Sequence, residues 1–306
     1  MKYLIIGTGG TGAAIGGFLA SEDKDVTFIA RGKNLEQLKQ NGLKLKSGVR
    51  GDIYIPNIKV VSEEEYKDKA DVIFVCVKTY SIEEVIPFIR KASHDNTIII
   101  PTANGFGIGD KMSATLNNLH VIDGCIYISA FMEEPGTFVQ LGNFYKIVFG
   151  PRKGDPVDTD ILNEIKNNLS DAGITTILSD NIQRDTFKKF TFISTLASCA
   201  AYYDITSGGI QREGMYRETF KELCKEIEKI GYEMGLELDS DIVEENLKIV
   251  DSTNPDTTSS LQKDMKEGKK SEIDGLIFEV VRLADKYGVE APFYTSIAKY
   301  FGYTIK

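Results

Sequence analysis

Histidine is nearly absent from this chain. Only two occur in 306 residues, His94 and His120, both where the pattern reads as loop or strand start. That excludes a multi-histidine metal site, and any proton donor has to be sought among other side chains. The four cysteines, Cys76, Cys125, Cys199 and Cys224, form no C-x-x-C and no Cys/His cluster, and they read as buried reduced thiols. No apolar run approaches bilayer length, and a strand and glycine loop follow Met1 where a signal peptide would need an apolar core. A cytoplasmic protein is expected. Positive charge is in deficit as well: 36 Lys and Arg against 45 Asp and Glu leave a net charge of −9. Neither nucleic acid nor an anionic membrane is therefore an expected partner. What remains, 42% hydrophobic and 26% charged residues, is ordinary for a globular protein with room for two domains.

Glycine, by contrast, is concentrated where it informs. The chain opens with the apolar run Lys2-Tyr3-Leu4-Ile5-Ile6, then Gly7-Thr8-Gly9-Gly10-Thr11-Gly12. Ile15, Phe18 and Leu19 follow at helical spacing, and a second apolar run spans Val26 to Ala30. Strand, G-x-G-x-x-G, helix and strand form the phosphate-binding half of a Rossmann fold. Gly7 suits the tight turn, Gly9 the approach of a pyrophosphate, and Gly12 close helix–strand contact. A diphosphate there would meet free N–H groups at the positive end of the helix dipole. Arg31 stands nineteen residues after Gly12, at the end of the second strand. An acidic residue at that place suits the ribose 2′-hydroxyl of NAD, whereas arginine suits the 2′-phosphate of NADP(H).

Beyond this loop the pattern predicts a helix over Asn34–Asn41 and a surface hairpin from Leu43–Ser47 and Asp52–Pro56. Buried strands are expected at Asp71–Val77 and Thr97–Pro101, with a helix from Ser81 to Ala92 between them. Val121–Ser129 reads as a strand, and Thr137–Leu141 and Tyr145–Phe149 as a hairpin turning at Gly142-Asn143. A helix at Asp158–Leu169 and a strand at Thr175–Leu178 complete this part. Helical periodicity then takes over, including the stripe Phe220, Leu223, Cys224, Ile227 and Ile230 with a stop near Gly235. Further helices are expected at Asp241–Val250, Thr257–Lys266, Ser271–Tyr287 and Phe293–Phe301. The fold class is therefore α/β: an N-terminal Rossmann-type parallel sheet domain at 1–180 followed by an all-helical domain at 181–306.

Ligands of open parallel sheets bind beyond the carboxyl ends of the strands. Lys78 and Asn104 follow two successive predicted strands. Either residue alone also fits a solvated strand end or an Asn-Gly turn. In Phe187-Lys188-Lys189-Phe190-Thr191-Phe192-Ile193, lysines interrupt an apolar helix, which means either snorkelling to water or placement for use. Ser259-Ser260 and Ser271-Glu272-Ile273-Asp274 begin two helices, and capping explains them on spacing alone, Ser271 and Asp274 fitting a capping box.

Taken in order, these segments resemble the ketopantoate reductase family over nearly the whole chain. The resemblance rests on Gly7-x-Gly9-x-x-Gly12 with Arg31, Val77-Lys78-Thr79, Asn104-Gly105 and Phe187-x-Lys189-Phe190. It continues through Ser259-Ser260-x-x-x-Asp264, Glu272-Ile273-Asp274 and Gly288-Val289-x-x-Pro292. It implies an NADPH-dependent reductase of a small 2-keto acid, with 2-dehydropantoate reduced to pantoate in the route to pantothenate and coenzyme A. Lys189 would be the general acid and Glu272 would orient substrate and lysine. Lys78 and Asn104 would line nicotinamide and substrate, and Ser260 would hold the substrate carboxylate. Gly7, Thr8, Gly9, Gly10, Thr11, Gly12 and Arg31 would hold the dinucleotide in a crevice shared by the two domains. A homodimer is compatible with this reading, and no metal is required. The chemistry suits lysine, which is cationic at neutral pH and can stabilise and then protonate the oxygen on which charge develops. The chain departs from the resemblance where the family often has asparagine, at Ile193, Ala197, Ser207 and Thr257. A sister reductase of another keto acid or imine is therefore an alternative. A non-catalytic NADP(H) sensor is a second, although a sensor has no need of the Lys189 and Glu272 pair.

Overall fold

The computed structural model describes residues 1–238 and 240–304. It divides into two compact units. The first comprises Met1–Ala103 and Gly107–Ile182, the second Asn104–Phe106 and Gln183–Lys306. Among the described residues no helix is long and apolar enough to cross a membrane.

In the first unit, strands β1 (Lys2–Ile6) and β2 (Asp25–Ile29) flank helix α1 (Gly10–Ala20), and α2 (Gly32–Asn41) follows. Then come β3 (Leu43–Ser47), β4 (Ile53–Ile55), β5 (Lys59–Val61), β6 (Ala70–Val75), α3 (Ile82–Ala92), β7 (Ser93–Pro101) and α4 (Ile108–Thr115). Strands β8 (His120–Val121), β9 (Asp123–Glu134) and β10 (Thr137–Gly150), helix α5 (Thr159–Asp171) and strand β11 (Thr175–Leu178) close the unit. Six strands pair in parallel in the order β5-β2-β1-β6-β7-β8, the expected Rossmann-type sheet. Its central strands bury residues on both faces, which explains the unbroken apolar runs Leu4–Ile6 and Val72–Val75. Helix α1 lies hard against this sheet because Gly12, Ala13, Ala14, Gly16 and Gly17 give it little bulk.

A second sheet, β11-β10-β3-β4 with β9 on the other side of β10, forms a separate layer that the apolar pattern does not distinguish from the first. Here two sequence expectations need correction. The stretch 137–150 is one long strand, and its hairpin partner is β9, joined to it through Pro135-Gly136. Gly142-Asn143 is a bulge inside β10, marked by a register shift between Leu141 and Lys146. The buried Gln140 explains why the chain need not turn there. Its side-chain nitrogen donates to the carbonyls of Leu141, Gly142 and Phe144, satisfying groups that a bulge takes out of the ladder. The strand expected at Val121–Ser129 is likewise divided at Ile122, with β8 in one sheet and β9 in the other.

The second unit is all helical. It contains α6 (Ile182–Tyr203, from Gln183 onward), α7 (Ser207–Gln211), α8 (Met215–Glu233), α9 (Ile242–Ser252) and α10 (Ser260–Lys266). A π-helical turn at Asp274–Phe278 leads into α11 (Glu279–Tyr287), and α12 (Pro292–Tyr300) ends the fold. The predicted stripe on α8 is buried throughout, and Gly235, at φ 75°, follows its last turn. Two side-chain amides, buried Gln262 and half-buried Gln211, bond carbonyls at helix C-terminal ends. Gln262 donates to Ala200 in the last turn of α6 and to Ile205 just past it, and Gln211 donates to Val250 in the last turn of α9 and to Thr253 just past it.

Candidate functional site

The glycine loop has the geometry that its sequence implies. Gly7 takes φ 93°, a conformation costly for any residue with a Cβ, and turns the chain off β1. A Cβ on Gly12 would lie 2.2 Å from the Gly7 carbonyl oxygen, so only glycine permits this closeness of helix and loop. Gly9 is the N-cap of α1, with Gly10, Thr11 and Gly12 as its first residues. Their N–H groups precede the intrahelical ladder, which begins with Ala13 donating to the Gly9 carbonyl at 2.9 Å. A Cβ on Gly9 would meet nothing within 4 Å, so the loop presents open space at that residue. These features fit a dinucleotide diphosphate. The Thr8 hydroxyl is engaged elsewhere, donating to the Ile29 carbonyl at 2.8 Å, so a ligand at this loop would meet Thr8 through its backbone N–H. Arg31 follows β2 as the exposed N-cap of α2.

One residue of this loop system escaped sequence reasoning. Asn34 donates through Nδ2 to the Thr8 carbonyl, and its Oδ1 accepts from Gly136 N–H, both at 2.9 Å. It ties the glycine loop to the β9–β10 turn. Only its place three residues after Arg31 hinted at this.

In the second unit the structure separates the two adjacent lysines. Lys188 is half-buried and donates to Ser240 at 2.9 Å, with Glu245 at 3.1 Å. Lys189 is only 7% exposed, and its Nζ donates to Asn104 Oδ1 at 2.8 Å. Asn104 reaches it because Asn104–Phe106 packs with the helical unit, although in sequence it follows β7. Phe106 anchors that segment, with ring centroids 5.1 Å from Phe187 and 6.0 Å from Phe190, the residues either side of the lysine pair. A cation is thus held in an apolar setting by a neutral carbonyl oxygen, an arrangement able to stabilise developing negative charge and to pass on a proton.

Glu272 is buried, at 3% exposure, and its carbonyl accepts from Leu276 N–H at 3.0 Å. The capping box expected at Ser271 and Asp274 is not what the structure builds. Asp274 pairs with Arg282 at 2.9 Å, and the capping box lies at Ser259 and Gln262 instead. The helix expected from Thr257 accordingly starts at Ser260, which is exposed at its first position. Lys78 belongs to the first unit, half-buried before the 3-10 turn Thr79–Ser81, two residues past the last strand-paired amide of Cys76. Ser207 and Thr257 face each other, with the Ser207 N–H and hydroxyl both donating to the Thr257 carbonyl.

Two family models match the chain. Residues 3–154 match the ketopantoate reductase PanE/ApbA model, and residues 181–302 match its C-terminal counterpart. The chain is 28% identical to an uncharacterized oxidoreductase of Bacillus subtilis over 292 residues, 95% of each protein. It is 26% identical to 2-dehydropantoate 2-reductase of Pyrococcus horikoshii, covering 95% of this chain and 93% of that one. The crystal structure of 2-dehydropantoate 2-reductase from Methylococcus capsulatus superposes with a TM-score of 0.88 at 23% identity, over 98% and 96% of the two chains. A ternary structure of D-mandelate dehydrogenase with NADH and anilino(oxo)acetate gives 0.85 at 21% identity, over 98% and 96%. Matched by both halves of the family model, the chain belongs to the ketopantoate reductase family and is an oxidoreductase.

Proposed function

We propose that this protein uses NADPH to reduce a small 2-keto acid to the 2-hydroxy acid, with 2-dehydropantoate the first substrate to test. The observation that carries the reading is Lys189, a buried ammonium held by Asn104 Oδ1 and flanked on its helix by the buried rings of Phe187 and Phe190. The bound dinucleotide supplies the hydride that reaches the keto carbon. Lys189 then stabilises the oxygen on which charge develops and gives it a proton. Glu272 orients the substrate and keeps the lysine charged, Ser260 receives the substrate carboxylate, and Asn104 and Lys78 line the reacting end. Gly7, Thr8, Gly9, Gly10, Thr11 and Gly12 cradle the diphosphate through backbone N–H groups. Arg31 takes the 2′-phosphate.

A second reading, a reductase of a different 2-keto acid, is favoured by the α6 positions one and two turns after Lys189. They carry Ile193 and Ala197, which offer no hydrogen bonds to a hydroxylated substrate. Ser207 and Thr257, which bond to each other, point the same way. An assay of NADPH and NADH oxidation across a panel of branched, hydroxylated and aromatic 2-keto acids separates the readings. Turnover with NADPH and at least one of them is expected. Arg31→Ala should raise the KM for NADPH about tenfold and leave that for NADH unchanged. Tighter binding of NADH than of NADPH by the unaltered protein would end the assignment of the 2′-phosphate to Arg31.

A further inference from the structure

The helix that begins just after Glu272 is irregular at one place, and a buried hydroxyl from the Lys189 helix meets it there. Across Asp274–Phe278 the backbone is π-helical, with Glu279 N–H reaching back five residues to the Asp274 carbonyl. A π turn inserts one residue, and at 3.6 residues per turn that rotates everything before it by about 100°. The direction of the Glu272 side chain, two residues upstream, is therefore set by this turn. Within it, the Leu276 carbonyl accepts from Ser194 Oγ at 2.6 Å. Behind Ser194 stands Tyr294 Oη at 2.9 Å, itself 3.1 Å from Thr195 Oγ1. Ser194, Thr195 and Tyr294 have no accessible surface. Ser194 lies five residues beyond Lys189 on the same helix, α6, and Leu276 N–H is bonded to the Glu272 carbonyl. A continuous path of one helix and two hydrogen bonds thus joins Lys189 to Glu272.

We propose that Ser194, backed by Tyr294, is a positioning residue: its bond to Leu276 holds the π turn that aims Glu272 from the same rigid body that carries Lys189. The catalytic part of this inference rests on the proposed roles of Lys189 and Glu272. A hydroxyl buried without water is costly unless bonded, so a run of three buried hydroxyls, Thr195 to Tyr294 to Ser194, that ends on the Leu276 carbonyl is a specific solution rather than filler.

The test uses the full-length protein with Ser194→Ala, and Tyr294→Phe as a milder variant that keeps the Ser194 bond. Amide hydrogen exchange read by mass spectrometry should accelerate across 273–281 in Ser194→Ala, with α8 and α9 unchanged. The kcat/KM for the keto acid should fall about tenfold, through KM for the keto acid, with NADPH binding unaltered. In a Glu272→Ala background, Ser194→Ala should bring no further loss, because the residue it aims is gone. Unchanged exchange across 273–281, or a full additional loss in that background, would overturn the proposal. If the unaltered protein reduced no 2-keto acid, the proposed function would fail separately, and the exchange measurement would still decide whether Ser194 holds the turn.

Discussion

Replacing Lys189 with alanine is expected to lower kcat by about a hundred- to ten-thousand-fold and to leave NADPH binding nearly unchanged. The split follows from where the groups lie. Lys189 belongs to the helical unit, whereas the glycine loop, Thr8 and Arg31 all belong to the first. Lys189→Arg should recover little, since a planar guanidinium cannot reproduce a compact ammonium seated on Asn104 Oδ1 and gives up its proton far less readily. Lys188→Ala is the control. Its ammonium is committed to Ser240 and Glu245, and its removal should leave turnover near that of the unaltered protein. Steady-state kinetics with a fluorescence titration of NADPH checks all three, and full activity in Lys189→Ala would remove this residue from the mechanism.

The largest expected loss of stability comes from a residue remote from that chemistry. Arg152, just past β10, has a side chain 10% exposed that donates to Ser113 Oγ at 2.6 Å, to the Val121 carbonyl at 2.8 Å and to Asp123 at 3.3 Å. Asp110 and Asp155 lie at 3.3 and 3.2 Å. One guanidinium therefore fastens α4, β8 and β9 to the end of β10. Burial pushes the Asp123 carboxyl above its usual range, while Arg152 and the Gly109 N–H pull it back. Arg152→Met should cost about 3 kcal/mol, because it leaves Asp123 buried without its counter-charge. The melting temperature should fall by several degrees. The deficit should depend on pH with a definite sign. Without Arg152 the folded-state value of Asp123 rises further above that of the unfolded chain. The variant then recovers as pH falls through that raised value and is worst near neutrality. Thermal melts of both proteins at pH 5 and pH 7.5 check this, and a deficit that grew towards acid pH would refute it.

How much of this was legible in the sequence depended on whether the signal was local. The glycine loop was readable because Gly7 and Gly12 answer constraints within a few residues of themselves, the turn at Gly7 φ 93° and the approach of Gly12 to the Gly7 carbonyl. The Rossmann strands were readable because burial on both faces leaves unbroken apolar runs. The bulge at Gly142 was misread as a turn because the decisive group, the Gln140 amide, is a buried polar side chain that no hydropathy pattern reveals. Lys189 could be singled out by its apolar setting, but spacing could not separate it from Lys188. That distinction needed the tertiary packing of Phe106 on Phe187 and Phe190. The π turn, and with it Ser194, was invisible because a serine in a helix carries no mark of what lies opposite.

The proposed reaction is the transfer of a hydride from NADPH to the carbonyl carbon of a 2-keto acid. The most direct measurement is turnover with NADPH deuterated in turn on each face of C4, followed by mass spectrometry and NMR of the product. One deuterium at C2 of the 2-hydroxy acid, from one face only, is the predicted result. NADPH oxidation that leaves no deuterium at C2, or no oxidation with any 2-keto acid of the panel, would contradict it.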